Sequence, residues 1–144
     1  MNPSDQIAQT ESLSFDLDLQ HAPEKVWRAL TEPELMTEWL LPVIDFKLET
    51  GAEFTFKTQP QPGWDGIVNC RCLEIDAPRT LSYAWVVGDI DTTVTFTLIP
   101  TASGTRLSVV HAGFRPDQKQ NLAGARYGWK MMTGKLVDVL AKSA

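Results

Sequence analysis

The succession of two hydrophobic periodicities is the feature that most restricts the fold of this chain. Residues 13–20 alternate apolar and polar side chains, which is typical of a strand with one buried face. Two short segments with helical spacing follow directly, at residues 23–30 and 31–41. Alternation returns between residues 45 and 114, and residues 122–141 again have helical spacing. Hairpin-linked strands between helical segments predict an antiparallel α+β domain.

The region between residues 45 and 114 predicts about six further strands, separated by turns rich in Gly, Pro and Asp. Before it, Pro23 suits the first turn of one helix, and Thr31 with Glu34 predicts a capping box for the next. The segment QPQPGWDG is a loop by composition. Its Trp64 either anchors this loop by packing or lies at the mouth of a cavity or at a partner contact.

The last predicted helix contains Gly124, Gly128 and Gly134, each of which costs roughly 1 kcal/mol relative to alanine. Its apolar stripe is thin at the N-terminal end and bulky at the C-terminal end. Two interpretations of this taper stay open: the helix leaves room above the sheet, or its glycines allow close helix-on-sheet packing. The stripe comprises Leu122, Ala125, Trp129, Met132, Leu136, Val139 and Leu140.

Length and charge restrict the remaining possibilities. The 144 residues predict a polar tail, residues 1–12, and a single domain, residues 13–142. The net charge of −5 and the lack of a basic stripe disfavour a nucleic-acid binder. No apolar run is long enough to cross a bilayer, and the N-terminus lacks the features of a signal peptide, so we expect a cytoplasmic location without membrane insertion.

The candidate ligand-binding residues are mostly aromatic side chains on inward-predicted faces, a composition shared by apolar ligand sites and solid cores. They are Trp39, Phe54, Phe56, Tyr83, Trp85, Phe96, His111, Ala125, Gly128, Trp129 and Met132. Tyr83 and His111 are the polar groups expected to orient a ligand, although a purely structural histidine is the alternative for His111. No partner at triad spacing accompanies His111, so no catalytic residue is predicted.

Metal and cofactor sites are not expected. Cys70 and Cys72 share a strand face, too close along one strand for a relaxed disulfide, and no further Cys or His lies at zinc-ligand spacing. We therefore interpret them as small buried apolar residues.

Four segments in order resemble a known family: APEKVWRALTEPELMTEWL, GIVNCRCLEIDAPRTLSYAW, TTVTFTLIPTASGTRLSVVHAGF and the GW pair of the last helix. Over about residues 13–141 the chain resembles the Hsp90-ATPase-activator-homologue family of the START/Bet v 1-like superfamily. The resemblance implies a helix-grip fold: a curved antiparallel sheet of about six or seven strands around a long C-terminal helix, with two short helices after the first strand. It also implies a cavity between sheet and helix for a lipid-like or polycyclic ligand.

The residues, together with what the family resemblance implies, leave three functions open, of which the first is favoured. The protein is a non-catalytic binding protein for a small hydrophobic molecule, a cyclase- or hydrolase-like enzyme using His111 and Tyr83, or a chaperone-associated module. The missing acid–base pair weakens the enzyme hypothesis. The eukaryotic Hsp90 activator carries an extra N-terminal domain to which nothing in this chain corresponds, which weakens the chaperone hypothesis.

Overall fold

The computed structural model describes residues 11–142, which form one antiparallel sheet, two short helices and one long helix. This arrangement confirms the predicted α+β helix-grip fold. The elements are β1 (Glu11–Leu19), α1 (Pro23–Thr31), α2 (Pro33–Trp39), β2 (Val43–Ile44), β3 (Glu53–Lys57), β4 (Ile67–Asp76), β5 (Thr80–Val87), β6 (Ile90–Pro100), β7 (Thr105–Phe114), a 3-10 turn (Pro116–Gln118) and α3 (Lys119–Lys142).

The seven strands have the order β1-β7-β6-β5-β4-β3-β2, and every neighbouring pair is antiparallel. The register places Leu13, His111, Val94, Tyr83 and Cys72 in one row across five strands. Because alternate residues of a strand point to the same face, this row and the rows two residues away share the inner face of the sheet. The row residues are all buried, which confirms the inward direction predicted from the alternation.

The core lies between this inner face and the helices. Both α1 and α2 contact α3. The apolar face of α1 is buried as its spacing predicts, through Val26, Ala29 and Leu30. Trp39, the last residue of α2, is fully buried, and its indole N–H donates to the carbonyl of Ala29, 2.8 Å away. This hydrogen bond fixes α2 against α1.

Element ends differ from the prediction at several points. Strand β1 begins at Glu11, so the last two residues assigned to the polar tail are in the sheet, while residues 1–10 lie outside the described residues. The capping box was wrong, because Thr31 ends α1 and its hydroxyl donates to the Trp27 carbonyl, 2.8 Å away. Helix α3 begins at Lys119, three residues before the predicted start.

The stretch between β2 and β3 also departs from a regular strand. Asp45 has a φ of +62°, in the left-handed region, which ends β2 after two residues. Over residues 11–142, none of the helices has both the length and the apolar character needed to span a membrane.

Candidate functional site

A cleft of about 980 Å³ lies beside the N-terminal half of α3. It is bounded by that helix, by the inner face of the sheet, by the β5–β6 turn and by the loop that carries Trp64. The walls are mainly apolar, and their side chains include those of Trp64, Trp85, Val87, Phe114, Trp129 and Met132.

The taper of α3 produces this space. No residue of the segment 119–128 is buried, although Leu122 and Ala125 are half-buried. The C-terminal half instead packs fully into the core, which confirms the predicted stripe there. Its buried residues are Trp129, Thr133, Leu136, Val139 and Leu140.

The helix glycines do not allow close backbone packing. A Cβ atom at Gly124, Gly128 or Gly134 would meet no side chain and no atom of another element within 4 Å. Gly124 and Gly128 both line the cleft, and Gly134 is on the exposed face. The interpretation of tight helix-on-sheet approach was therefore wrong, since alanine would fit sterically at each position. At positions 124 and 128, the missing side chains leave open space next to the cleft.

His111 is the centre of a hydrogen-bond chain behind the cleft. The indole N–H of Trp129 donates to His111 Nδ1, 3.0 Å away, so the imidazole proton is on Nε2. That Nε2–H donates to Thr92 Oγ1, 2.7 Å away. The Thr92 hydroxyl in turn donates to the carbonyl of Trp85, also at 2.7 Å. We call this set the His111 hydrogen-bond chain, and it uses both ring nitrogens.

Burial keeps the imidazole neutral. His111 is only 2 % exposed, and its nearest ring neighbours are the aromatic side chains of Phe114, Trp85 and Trp129. Removing the charged form from water lowers the pKa of His111 to about 4. At neutral pH the ring is thus an uncharged, fully hydrogen-bonded structural group, which is the alternative that the sequence left open.

Tyr83 is separated from His111 and from the cleft. Its side chain is fully buried among Phe54, Phe56 and Phe96, and desolvation raises the pKa of its hydroxyl well above the usual value. The register puts it two strands away from His111, roughly 10 Å at the usual strand spacing. An acid–base pair of these two residues, as the enzyme hypothesis required, is therefore not formed.

The Tyr83 hydroxyl is a buried side-chain polar atom without a hydrogen-bond partner among residues 11–142. An unpaired buried hydroxyl costs about 1–3 kcal/mol. We expect Tyr83→Phe, which keeps every ring contact, to raise the free energy of unfolding by about 1 kcal/mol in urea denaturation. Tyr127→Phe is the matched control, because Tyr127 is 67 % exposed and should give no change. A destabilised Tyr83→Phe would mean that the hydroxyl binds a buried water.

The structure brings only part of the predicted set to the cleft. The predicted residues that line it are Trp85, His111, Ala125, Gly128, Trp129 and Met132. The remaining predicted residues are packed in the core, where rings and backbone fill the space around them. These are Trp39, Phe54, Phe56, Tyr83 and Phe96.

Sequence reasoning missed other parts of the cleft wall. Phe114 ends β7 and Val87 ends β5, so both lie at strand ends, where alternation is a weak guide. The sequence singled out Trp64, and the structure shows the predicted anchoring of its loop. Its indole N–H donates to the Ile67 carbonyl, 3.0 Å away, which anchors the loop, while the side chain lines the cleft.

Charged groups are confined to the exposed rim of the cleft. Arg115 bonds Asp89 of the β5–β6 turn at 3.2 Å and Asp117 of the 3-10 turn at 3.1 Å, which links these two turns beside the cleft. The charged residues that line the cleft are Asp65, Asp89 and Lys135. Within the described residues, no cluster of three or more His, Cys, Asp or Glu side chains is arranged to hold a metal ion.

The two cysteines are buried on the inner face of β4, as predicted. Burial raises the pKa of both thiols, which keeps them protonated and unreactive at neutral pH.

Comparisons with known proteins place this architecture in a family. The family model described as "Activator of Hsp90 ATPase homolog 1-like protein" matches residues 20–141. A search of curated proteins finds no match. Among solved structures, protein MLL2253 from Mesorhizobium loti is 37% identical, with a TM-score of 0.86 over 93% of this chain and 99% of that one.

Two further solved structures share the fold at lower identity. Protein NE0264 from Nitrosomonas europaea is 27% identical, with a TM-score of 0.77 over 91% of this chain and 94% of that one. CalU16 from Micromonospora echinospora is 24% identical, with a TM-score of 0.76 over 92% of this chain and 78% of that one, a likeness of fold alone. Because the family model matches most of its length, the chain belongs to the activator of Hsp90 ATPase homolog 1-like family.

Proposed function

We propose that this protein is a non-catalytic binding protein that holds a small hydrophobic molecule, lipid-like or polycyclic, in the cleft beside α3. The observation that carries the proposal is the open space at Gly124 and Gly128, in a cleft that the aromatic side chains of Trp85 and Trp129 also line. A core that needed only tight packing would have no reason to keep two glycines facing empty space in a helix, since alanine there is more stable.

The dimensions and composition of the cleft support this proposal. Ligand sites typically have volumes of about 300–1,000 Å³ and mainly apolar walls with few polar groups. The cleft, at about 980 Å³, is near the upper end of this range. The cytoplasmic location inferred from the sequence is part of the same proposal.

The chemistry of the cleft supports binding over catalysis. A general acid or base needs a group that can gain or lose a proton near the working pH. His111 has both nitrogens engaged and a pKa of about 4, and Tyr83 is enclosed in the core. The proposed role therefore requires no catalytic residue.

The test is to fill the space at position 128 and to measure ligand uptake and stability together. Gly128→Leu adds a branched side chain at a position where its Cβ would meet no atom of another element within 4 Å. Leucine is a better helix former than glycine by about 0.8 kcal/mol, so the melting temperature should hold or rise. Binding of diphenylhexatriene, an uncharged hydrocarbon that fluoresces in apolar sites, should weaken by about tenfold or more.

Gly134→Ala is the matched control, because it makes a similar gain in helix propensity on the exposed face. It should raise stability by up to about 1 kcal/mol and leave diphenylhexatriene binding unchanged. A wild-type protein that does not bind the dye would contradict the proposed function. Equal dye affinity in wild type and Gly128→Leu would show that the dye binds elsewhere.

A further inference from the structure

Among the residues that line the cleft, Trp85, His111 and Trp129 contact one another, carry side-chain nitrogens and are half-buried or buried. We call them the inner wall. Any ligand that enters the cleft must match the hydrogen-bonding groups that this wall leaves free, because unpaired polar groups in a dry site are costly.

Two of these residues satisfy each other. The Trp129 N–H is used by His111 Nδ1, and the His111 Nε2–H is used by Thr92. The Thr92 hydroxyl in turn donates a hydrogen bond to the carbonyl oxygen of Trp85. The His111 hydrogen-bond chain therefore leaves neither a free donor nor a free acceptor on the side chains of His111 and Trp129.

Trp85 differs from the other two. Its indole N–H makes no hydrogen bond within residues 11–142, and it is not among the fully buried polar atoms, so it stays accessible. The ring is half-buried and is held between Phe56, His111 and Trp129, with centroid separations of 5.4, 5.7 and 5.7 Å. The Tyr83 hydroxyl also has no hydrogen-bond partner within residues 11–142, but it lies in the core and does not line the cleft.

We propose that the cleft selects an uncharged ligand that presents a hydrogen-bond acceptor, such as a ketone or ether oxygen, and no donor to the inner wall. The Trp85 N–H is the group that recognises this acceptor. A hydroxyl or amine proton finds no acceptor on the side chains of the inner wall and is left unpaired. The inference rests on the proposed binding function and adds the chemical class of the ligand.

The electrostatics of the cleft exclude a charged group at the inner wall. The groups that face His111 from β5, β6, β7 and α3 are Trp85, Thr92, Phe114 and Trp129, none of which is charged. The charged residues of the cleft, Asp65, Asp89 and Lys135, are at its rim, where water screens them. A buried carboxylate would thus have no counter-ion.

The test uses three naphthalenes with one carbon skeleton: 2-acetylnaphthalene, 1-(2-naphthyl)ethanol and 2-ethylnaphthalene. Each compound is titrated as a competitor of bound diphenylhexatriene, which gives its dissociation constant. The ratio of two dissociation constants is then compared between wild type and variant, because the hydration free energy of each compound is the same in both measurements. Trp85→Phe keeps a ring but removes the N–H donor. It should weaken 2-acetylnaphthalene relative to 2-ethylnaphthalene by about tenfold, the effect of one hydrogen bond.

Trp129→Phe makes the opposite test on the other side of the wall. It removes the indole donor and frees His111 Nδ1 as an acceptor. The affinity of 1-(2-naphthyl)ethanol relative to that of 2-acetylnaphthalene should then rise by threefold or more. An indole proton NMR spectrum of the wild type gives an independent measurement, because the Trp85 N–H resonance should move downfield with the ketone and not with 2-ethylnaphthalene.

The possible outcomes separate the two proposals. If diphenylhexatriene does not bind to the wild type, so that there is no dye to displace, the proposed function is wrong. If all three bind, but Trp85→Phe leaves their ratios unchanged and the indole resonance does not respond to the ketone, the binding function stands and the acceptor inference is overturned. Tighter binding of 2-naphthoate than of 2-acetylnaphthalene would overturn the exclusion of charge.

Discussion

Trp129→Ala is expected to lower the free energy of unfolding by about 3–5 kcal/mol, measured by urea denaturation followed by circular dichroism. Removal of a buried tryptophan side chain costs this much through lost burial and the cavity left behind. The ring is 1 % exposed and contacts Phe15, Trp85, Phe96 and His111. The same change leaves His111 Nδ1 without its donor, which adds the cost of an unpaired buried acceptor.

Two comparison variants separate the contributions to this loss. Leu136→Ala removes a fully buried side chain from the same helix face without touching a side-chain hydrogen bond, and should cost about 2–5 kcal/mol. Trp129→Phe retains a ring and should cost less than Trp129→Ala. Because a small domain has only about 5–15 kcal/mol in total, Trp129→Ala should be near its stability limit. A Trp129→Ala protein within about 1 kcal/mol of wild type would show that α3 does not hold the core.

The fold was predictable from the sequence because its determinants are local and periodic. Alternation in segments such as TTVTFTLIP fixes which side chains point inward, and a register error of one residue would expose every apolar side chain of the strand. The stripe of α3 follows from helical geometry in the same way, and Trp129 and Leu136 are buried as it predicts. These periodicities decide inside from outside without knowledge of distant contacts.

The division between core and cleft was not predictable in this way. Tyr83 and Trp85 are two residues apart on the inner face of β5, so alternation treats them alike. Only the position of α3 over the sheet distinguishes them: Tyr83 is enclosed by aromatic rings, whereas Trp85 lies opposite the thin half of the helix. That position depends on long-range packing, for which a single sequence carries no periodic signal.

The role of His111 also depends on distant partners. Thr92 and Trp129 are 19 and 18 residues away in sequence, and neither spacing indicates contact. An isolated histidine on an apolar strand face is compatible with a ligand-binding group and with a satisfied structural group. The geometry decides between them, because hydrogen bonds on both nitrogens leave no position for a ligand or a transferred proton.

The neutral, buried state of His111 has a second consequence, which is acid sensitivity. Its pKa is about 4 in the folded protein and close to 6.5 when exposed, so the unfolded chain binds this proton more readily than the folded one. The contribution of the neutral, buried His111 ring to the free energy of unfolding is fully present above pH 6.5 and is lost as the pH falls from 6.5 towards 4. A shift of this size corresponds to about 3 kcal/mol.

We therefore expect the free energy of unfolding of the wild type, measured by urea denaturation at a series of pH values, to fall by up to about 3 kcal/mol between pH 6.5 and 4. His111→Gln is the matched control, since its amide offers both an acceptor and a donor but does not titrate in this range. The variant should be less stable at neutral pH and should lose much less stability on acidification. The Asp117 carboxylate contributes lower in pH, because its hydrogen bond from Arg115 depresses its pKa below the usual value of 3.8, so stability from that pair is lost beneath the window. Parallel pH curves for wild type and His111→Gln between 6.5 and 4 would show that protonation of His111 is not resisted by the fold, and that the His111 hydrogen-bond chain does not hold the imidazole neutral.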